Sequence, residues 1–228
     1  DRAVVIMLDA QTSEILAMAN APTFNVNRPL LYEGEVRRNR VVTDSFEPGS
    51  TMKTFVVASA LKSKAIKPST KIYCEEGKFQ VGDRIIREAD KRHSFGELSV
   101  SEILSKSSNI GAAKIALQLG DKRLRKSLTE FGFGARTDVN LPGESKGILR
   151  KLPWSQHLLS NVSFGHGITV TPLQIATAYS VIANGGVLKR PILVKSIQNE
   201  ILGDSEQFEA KEIRRVLSES EAATMRLM

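Results

Sequence analysis

Apolar and polar positions divide the chain into a short β opening, a long run of helical segments and a sparse β close. Apolar runs within residues 3–19 predict a β-hairpin. A loop rich in Pro and Asn (21–30) and a basic segment follow. From Ser50 the run Thr-Met-Lys-Thr-Phe-Val-Val-Ala-Ser-Ala-Leu is apolar and has no breaker, which predicts a buried helix ending near Lys64. Pro48 and Gly49, just before it, are turn residues. Residues 67–90 hold strand-like scraps with turns around Gly77 and Gly82. Ser99-Val100-Ser101-Glu102 has capping-box spacing and opens a helix over Val100–Lys106. Further helices are predicted at Ile110–Leu119, stopped by Gly120, and at 121–131, ended by Phe131-Gly132-Phe133-Gly134. Beyond a loop with Pro142, Gly143 and Gly147, Thr171-Pro172 sets a cap before a proline at the first helical position. Asn184-Gly185-Gly186 stops that helix near Ala183. A strand or two near 187–198 and a last helix opened by Ser218-Glu219-Ser220-Glu221 complete the pattern. Strands, then helices, then strands predict an α+β fold.

The helix beginning near Ser50 carries candidate chemistry. Ser50 and Lys53 lie three apart and share a helix face, so the amine can reach the hydroxyl. Ser-x-x-Lys alone says little. With 22 Ser and 16 Lys in 228 residues, chance gives about 1.5 matches, and there are two, Ser50/Lys53 and Ser59/Lys62. Ser59 falls mid-helix, where its hydroxyl would bond back to a carbonyl one turn earlier. Ser50 falls where backbone N–H groups are unpaired and the macrodipole favours negative charge. An ordinary N-cap remains open for Ser50 on this evidence. Ser107-Ser108-Asn109, the one Ser-x-Asn in the chain, lies between two predicted helices. Ser107 and Asn109 there can point into a cleft, or Asn109 can simply cap the second helix.

In this order the two motifs resemble those of penicillin-binding proteins and serine β-lactamases. Arg38-Asn39-Arg40 and Asp44-Ser45-Phe46-Glu47-Pro48-Gly49-Ser50 resemble the approach to the nucleophile in class B penicillin-binding proteins, and most of all the septal branch, the peptidoglycan D,D-transpeptidase of cell division. The opening hairpin and Ser163-Phe164-Gly165-His166-Gly167 with Val170-Thr171-Pro172-Leu173-Gln174 extend the likeness from about residue 3 to about 195. It implies a penicillin-binding/β-lactamase-like serine transpeptidase fold, an antiparallel sheet with a helical subdomain. Residues 62–160 would be the helical portion, and 1–61 and 161–228 the sheet-associated portion, with the reactive serine in the cleft between them. The third family motif, Lys-Thr-Gly or Lys-Ser-Gly, is absent, since Ser145-Lys146-Gly147 has the wrong order. The expectation is therefore a transpeptidase domain incomplete at its C-terminus and inactive alone.

The resemblance implies that Ser50 attacks a D-Ala-D-Ala stem peptide, forms an acyl-enzyme and passes the acyl group to a neighbouring stem amine. Lys53 would be the general base, Ser107 a proton relay, and Asn109 would hold the substrate amide and the Lys53 ammonium. Bringing a lysine from ~10.4 to near 7 takes about 3 units, which desolvation and a second nearby cation can supply, the lysine of the absent third motif being the natural one. The resemblance also implies β-lactams as ligands, an anchor in the cytoplasmic membrane with the domain outside, and cell-division partners including a glycan-polymerising membrane protein. A β-lactamase, a D,D-carboxypeptidase or a β-lactam sensor shares the motifs and remains an alternative.

Composition adds bounds. The length suits one large domain. No apolar run approaches the ~18 residues that span a bilayer, and no signal peptide opens the chain. Cys74 is the sole cysteine, which rules out an internal disulfide. His93, His157 and His166 lack ligand spacing, so no metal is expected, and no phosphate loop or other cofactor motif is present. The net charge of +7 is dispersed apart from short clusters such as Lys122–Lys126, read as a solvated helix face. Nucleic-acid binding has no aromatic or motif support.

Overall fold

A computed structural model describes residues 2–90, 92–199 and 204–228. The opening hairpin pairs β1 (Ala3–Leu8) with β2 (Ile15–Ala21), antiparallel, with a bulge at Met7/Leu8. A short helix α1 (Arg40–Thr43) leads to a 3-10 turn at Gly49–Thr51 and then α2 (Met52–Lys62). Two antiparallel pairs follow, β3 (Lys71–Tyr73) with β6 (Glu97–Ser99), and β4 (Lys78–Val81) with β5 (Arg84–Arg87) around the Gly82 turn. The helical run is α3 (Val100–Ser105), α4 (Asn109–Leu119), α5 (Asp121–Glu130), α6 (Gln156–Ser163) and α7 (Pro172–Ala183). The close consists of β7 (Val187–Lys189), β8 (Ser196–Asn199), β9 (Asp204–Gln207), β10 (Glu212–Arg215) and α8 (Glu219–Arg226). β8 pairs with β9, and β10 returns to β7. The fold is α+β, and the strands among the described residues form five separate two-stranded antiparallel sheets.

α2 is the axis of the core. Eight of its residues, Met52, Lys53, Phe55, Val56, Val57, Ala58, Ser59 and Ala60, are buried. That accounts for its lack of a polar face, since a helix surrounded by others needs none. It packs on α4, α5, α6 and α8. Phe55 meets Phe131, Phe133 and Tyr179 edge-on, with centroids 5.0–5.2 Å apart. Fully burying such a side chain is worth about 2–3 kcal/mol. A second cluster unites Val41, Val42, Val139 and Leu173 with Val4, Ile6, Leu8, Ile15 and Met18 from the hairpin. Val5 and Met7 alternate onto the outer, exposed face of β1, as the period of two requires.

The helix punctuation read from sequence is present in atomic form. Ser99, Thr171 and Ser218 each form a complete capping box, with Glu102, Gln174 and Glu221. Pro172 occupies the first helical position of α7, and Gly185 and Gly186 turn the chain with φ of 86° and 106°. The Ser50 helix opens as a 3-10 turn and becomes α-helical only from Met52, ending at Lys62. Ser108, not Asn109, caps α4, accepting from Gly111 N–H at 3.0 Å, so the helix begins one residue earlier than predicted.

Candidate active site

The turn before α2 is held from behind by the Ser163–Gly167 segment. Phe46 and Val170 exchange two backbone hydrogen bonds of 3.0 and 2.9 Å. Gly49 N–H donates to Gly165 O at 3.3 Å. Gly165 has φ of 83°, and a β-carbon there would lie 2.1 Å from Gly49 O, so the approach admits only glycine. The Glu47 carboxylate accepts from Gly167 N–H at 2.8 Å and lies 2.8 Å from His166 Nδ1. Those bonds hold its carboxyl below the usual range. The segment recognised in sequence only as a signature is thus the clamp that positions the Ser50 turn.

Ser50 is exposed, whereas Lys53, one turn on, is 2 % exposed. Lys53 Nζ donates to Ser50 Oγ at 3.1 Å, Ser107 Oγ at 2.9 Å and the Ser107 carbonyl at 2.5 Å. These three bonds use every donor of an ammonium. Burial pulls the Lys53 pKa from 10.5 down to about 8, opposed by the negative charge of Glu88. No second cation is needed for this shift, because desolvation alone disfavours the charged amine. The second pair behaves as its position dictates. Ser59 Oγ donates to Phe55 O one turn back at 2.6 Å, and Lys62 pairs with Glu130.

Ser107, two residues past α3, lies in the left-handed region, φ 55°, which turns both its oxygens toward Lys53. Such a conformation costs a non-glycine residue about 1–2 kcal/mol and is retained where the surroundings over-determine it. Asn109 does not hold the Lys53 ammonium as expected. Its side chain donates to Arg87 O at 3.0 Å, and the Ser107 carbonyl takes the place on Lys53. Glu88, just past β5, was missed in the sequence. Its two oxygens accept from Ser108 Oγ at 2.7 Å and Asn109 N–H at 2.6 Å. A lone Glu after a short strand gives no periodic or motif signal.

Residues 3–228 match the penicillin binding protein transpeptidase domain. The chain belongs to this family. Among curated relatives, the probable peptidoglycan D,D-transpeptidase PenA of Neisseria gonorrhoeae is 37% identical over 185 residues, covering 81% of this chain and 31% of the relative. Peptidoglycan D,D-transpeptidase FtsI of Escherichia coli K12 is 34% identical over 200 residues, covering 87% and 33%. The chain therefore spans about a third of the length of these relatives. Penicillin-binding protein 3 of Mycobacterium tuberculosis in its apo form superimposes with a TM-score of 0.90 at 31% identity, covering 99% of this chain and 50% of that one. The same mycobacterial protein has been solved with aztreonam and with ampicillin. Within this penicillin-binding transpeptidase domain, Ser50, Lys53 and Ser107 meet around one nitrogen, and Asn109 borders them from the β5 side.

Proposed function

We propose that the chain carries the acyl-transfer centre of a peptidoglycan D,D-transpeptidase, with Ser50 as nucleophile and Lys53 as its base. The observation that carries this reading is Lys53 Nζ lying between Ser50 Oγ and Ser107 Oγ, at 3.1 and 2.9 Å. A neutral Lys53 accepts the Ser50 proton as Oγ adds to the carbonyl of a D-Ala-D-Ala stem. That proton then passes through Ser107 Oγ to the leaving D-Ala nitrogen as the C–N bond breaks. The acceptor amine reverses the path, giving up its proton as it takes the acyl group. Asn109 Oδ1, with no protein donor among the described residues, accepts an N–H of the substrate backbone. β-Lactams enter the same path and stop at the acyl-serine.

The names of the relatives support the substrate class, and the FtsI likeness supports a role in septal wall synthesis. With it come cell-division partners, including a glycan-polymerising membrane protein, and a location on the outer side of the cytoplasmic membrane. No helix among the described residues is long and apolar enough to cross a membrane.

The test is to incubate the full chain, as encoded by its gene, with a labelled penicillin and a D-amino-acid acceptor. Fast labelling, slow release to water and transfer of a thioester-substrate acyl group to the D-amino acid are expected. Rapid hydrolytic release would instead assign a β-lactamase or carboxypeptidase, and labelling without transfer a sensor. With a Lys53 pKa of about 8, the labelling rate should rise through pH 8. At pH 7 roughly a tenth of the molecules hold the neutral amine. A rate independent of pH between 6.5 and 9 would rule out Lys53 as base.

A further inference from the structure

Glu88 is a carboxylate in an unusual place. It is 6 % exposed, and its two oxygens are taken by Ser108, the cap of α4, and Asn109, the first residue of α4. The first of these, Ser108, also caps α4 through the same Oγ, which accepts from Gly111 N–H at 3.0 Å. The second, Asn109, is tied to the β5 backbone through Arg87 O. Ser107, immediately before them, holds φ 55° and makes two bonds to Lys53. Four hydrogen bonds thus surround a strained residue whose oxygens face the base. Charge-assisted bonds to a carboxylate are roughly twice as strong as neutral ones, so the Glu88 pair is the firmest part of that frame.

We propose that Glu88 is a positioning residue for acyl transfer: through Ser108 and Asn109 it fixes the left-handed turn at Ser107, whose two oxygens hold Lys53, and its buried charge acts on the Lys53 ammonium. This rests on the reading of Ser50 and Lys53 given above. Of the ionisable groups nearby, Cys74, just past β3, lies against Ser108 and feels the charge of Glu88, and Lys114 of α4, which pairs with Glu75, acts on Cys74 in turn. Burial pushes the Cys74 thiol up, so it stays neutral where acylation is measured. Lys114 is committed to Glu75, and at Lys53 the charge of Glu88 raises the proton affinity against the larger, opposite effect of burial.

Two consequences separate positioning from mere structural support. Removing the charge by Glu88→Gln loosens the turn, so the plateau rate of penicillin acylation at high pH should fall about 10- to 100-fold, as for a catalytic group displaced by about an ångström. The same change removes the negative charge that opposes burial, so the acid limb of the pH–rate profile should move to lower pH. Glu88→Asp keeps the charge and shortens the reach, so the plateau should fall while the limb stays in place. Rates are taken from the exponential phase of labelling, which reports only folded, reactive molecules and is blind to a reduced folded fraction. An acid limb unmoved in Glu88→Gln, whatever the plateau, or a plateau within about twofold of the parent, would overturn the proposal. Ser50→Ala run alongside keeps the two readings apart. Labelling that survives Ser50→Ala sinks the nucleophile assignment, whereas labelling lost there but normal in Glu88→Gln sinks only the role of Glu88.

Discussion

Lys53→Met should slow penicillin acylation by about 10²–10⁴-fold, the contribution of a well-placed general base, without lowering thermal stability at pH 7. The second half of this expectation follows from burial. A lysine taken from 10.5 to about 8 by desolvation carries a cost of about 3 kcal/mol where it must hold its proton. The sign follows from the direction of the shift. Below pH 8 both folded and unfolded chains protonate Lys53, and the folded state bears the full penalty. Between pH 8 and 10.5 the folded state has released the proton and the penalty fades. Methionine has a similar length and no charge, and its cost is the lost partner of the Ser107 carbonyl, about 1–3 kcal/mol. The melting temperature of Lys53→Met should therefore equal or exceed that of the parent at pH 7, with the difference shifting toward the parent by pH 9.5. A destabilised variant at pH 7 would mean that Lys53 is chiefly a structural cation. Function and stability pull in opposite directions at this residue, as expected where a charge is buried for its chemistry.

Gly165→Ala should damage both stability and acylation, by on the order of 3 kcal/mol and about 100-fold. The added methyl would sit 2.1 Å from Gly49 O and 2.4 Å from Gly49 N, and backbone atoms cannot step aside as a side chain does. It would also force alanine to φ of 83°. Gly49 is the residue before the nucleophile, so relief of the clash moves Ser50 relative to Lys53. Gly167→Ala is the control. Its φ of 74° is similar, but its methyl would meet only Leu158 Cδ1, at 2.9 Å. The left-handed strain is thus common to both variants, and their difference isolates the contact with the nucleophile turn. Equal acylation rates in the two would show that the clamp does not position Ser50.

Much of this site was legible in the sequence because its signals are local. The Ser50–Lys53 spacing, the break at Pro48-Gly49, the capping boxes at Ser99 and Ser218 and the Thr171 cap depend on neighbours within one turn, and all take the expected form. What was missed depends on distant contacts. β3 finds β6 across 20 and more residues, and as a three-residue strand it offers too short a run for its alternation to register. α6 carries Ser155 as a cap, yet its polar and apolar residues alternate too briefly to announce a helix. Glu88 was invisible because a buried carboxylate is defined by the two groups that donate to it, and these lie 20 and 21 residues away. Asn109 lies two residues from Ser107, as its motif dictates, but with a partner other than the one expected. Its motif fixes where the residue is, while the β5 backbone decides which way its amide points.

The most direct measurement is the location of the covalent adduct. The full chain is reacted with a β-lactam, digested, and the modified peptide sequenced by mass spectrometry. A single acyl adduct on the Ser50 hydroxyl is expected, absent from Ser50→Ala and slow to form in Lys53→Met. An adduct on any other residue, or one that persists undiminished in Ser50→Ala, would contradict the assignment of Ser50 and Lys53 as nucleophile and base.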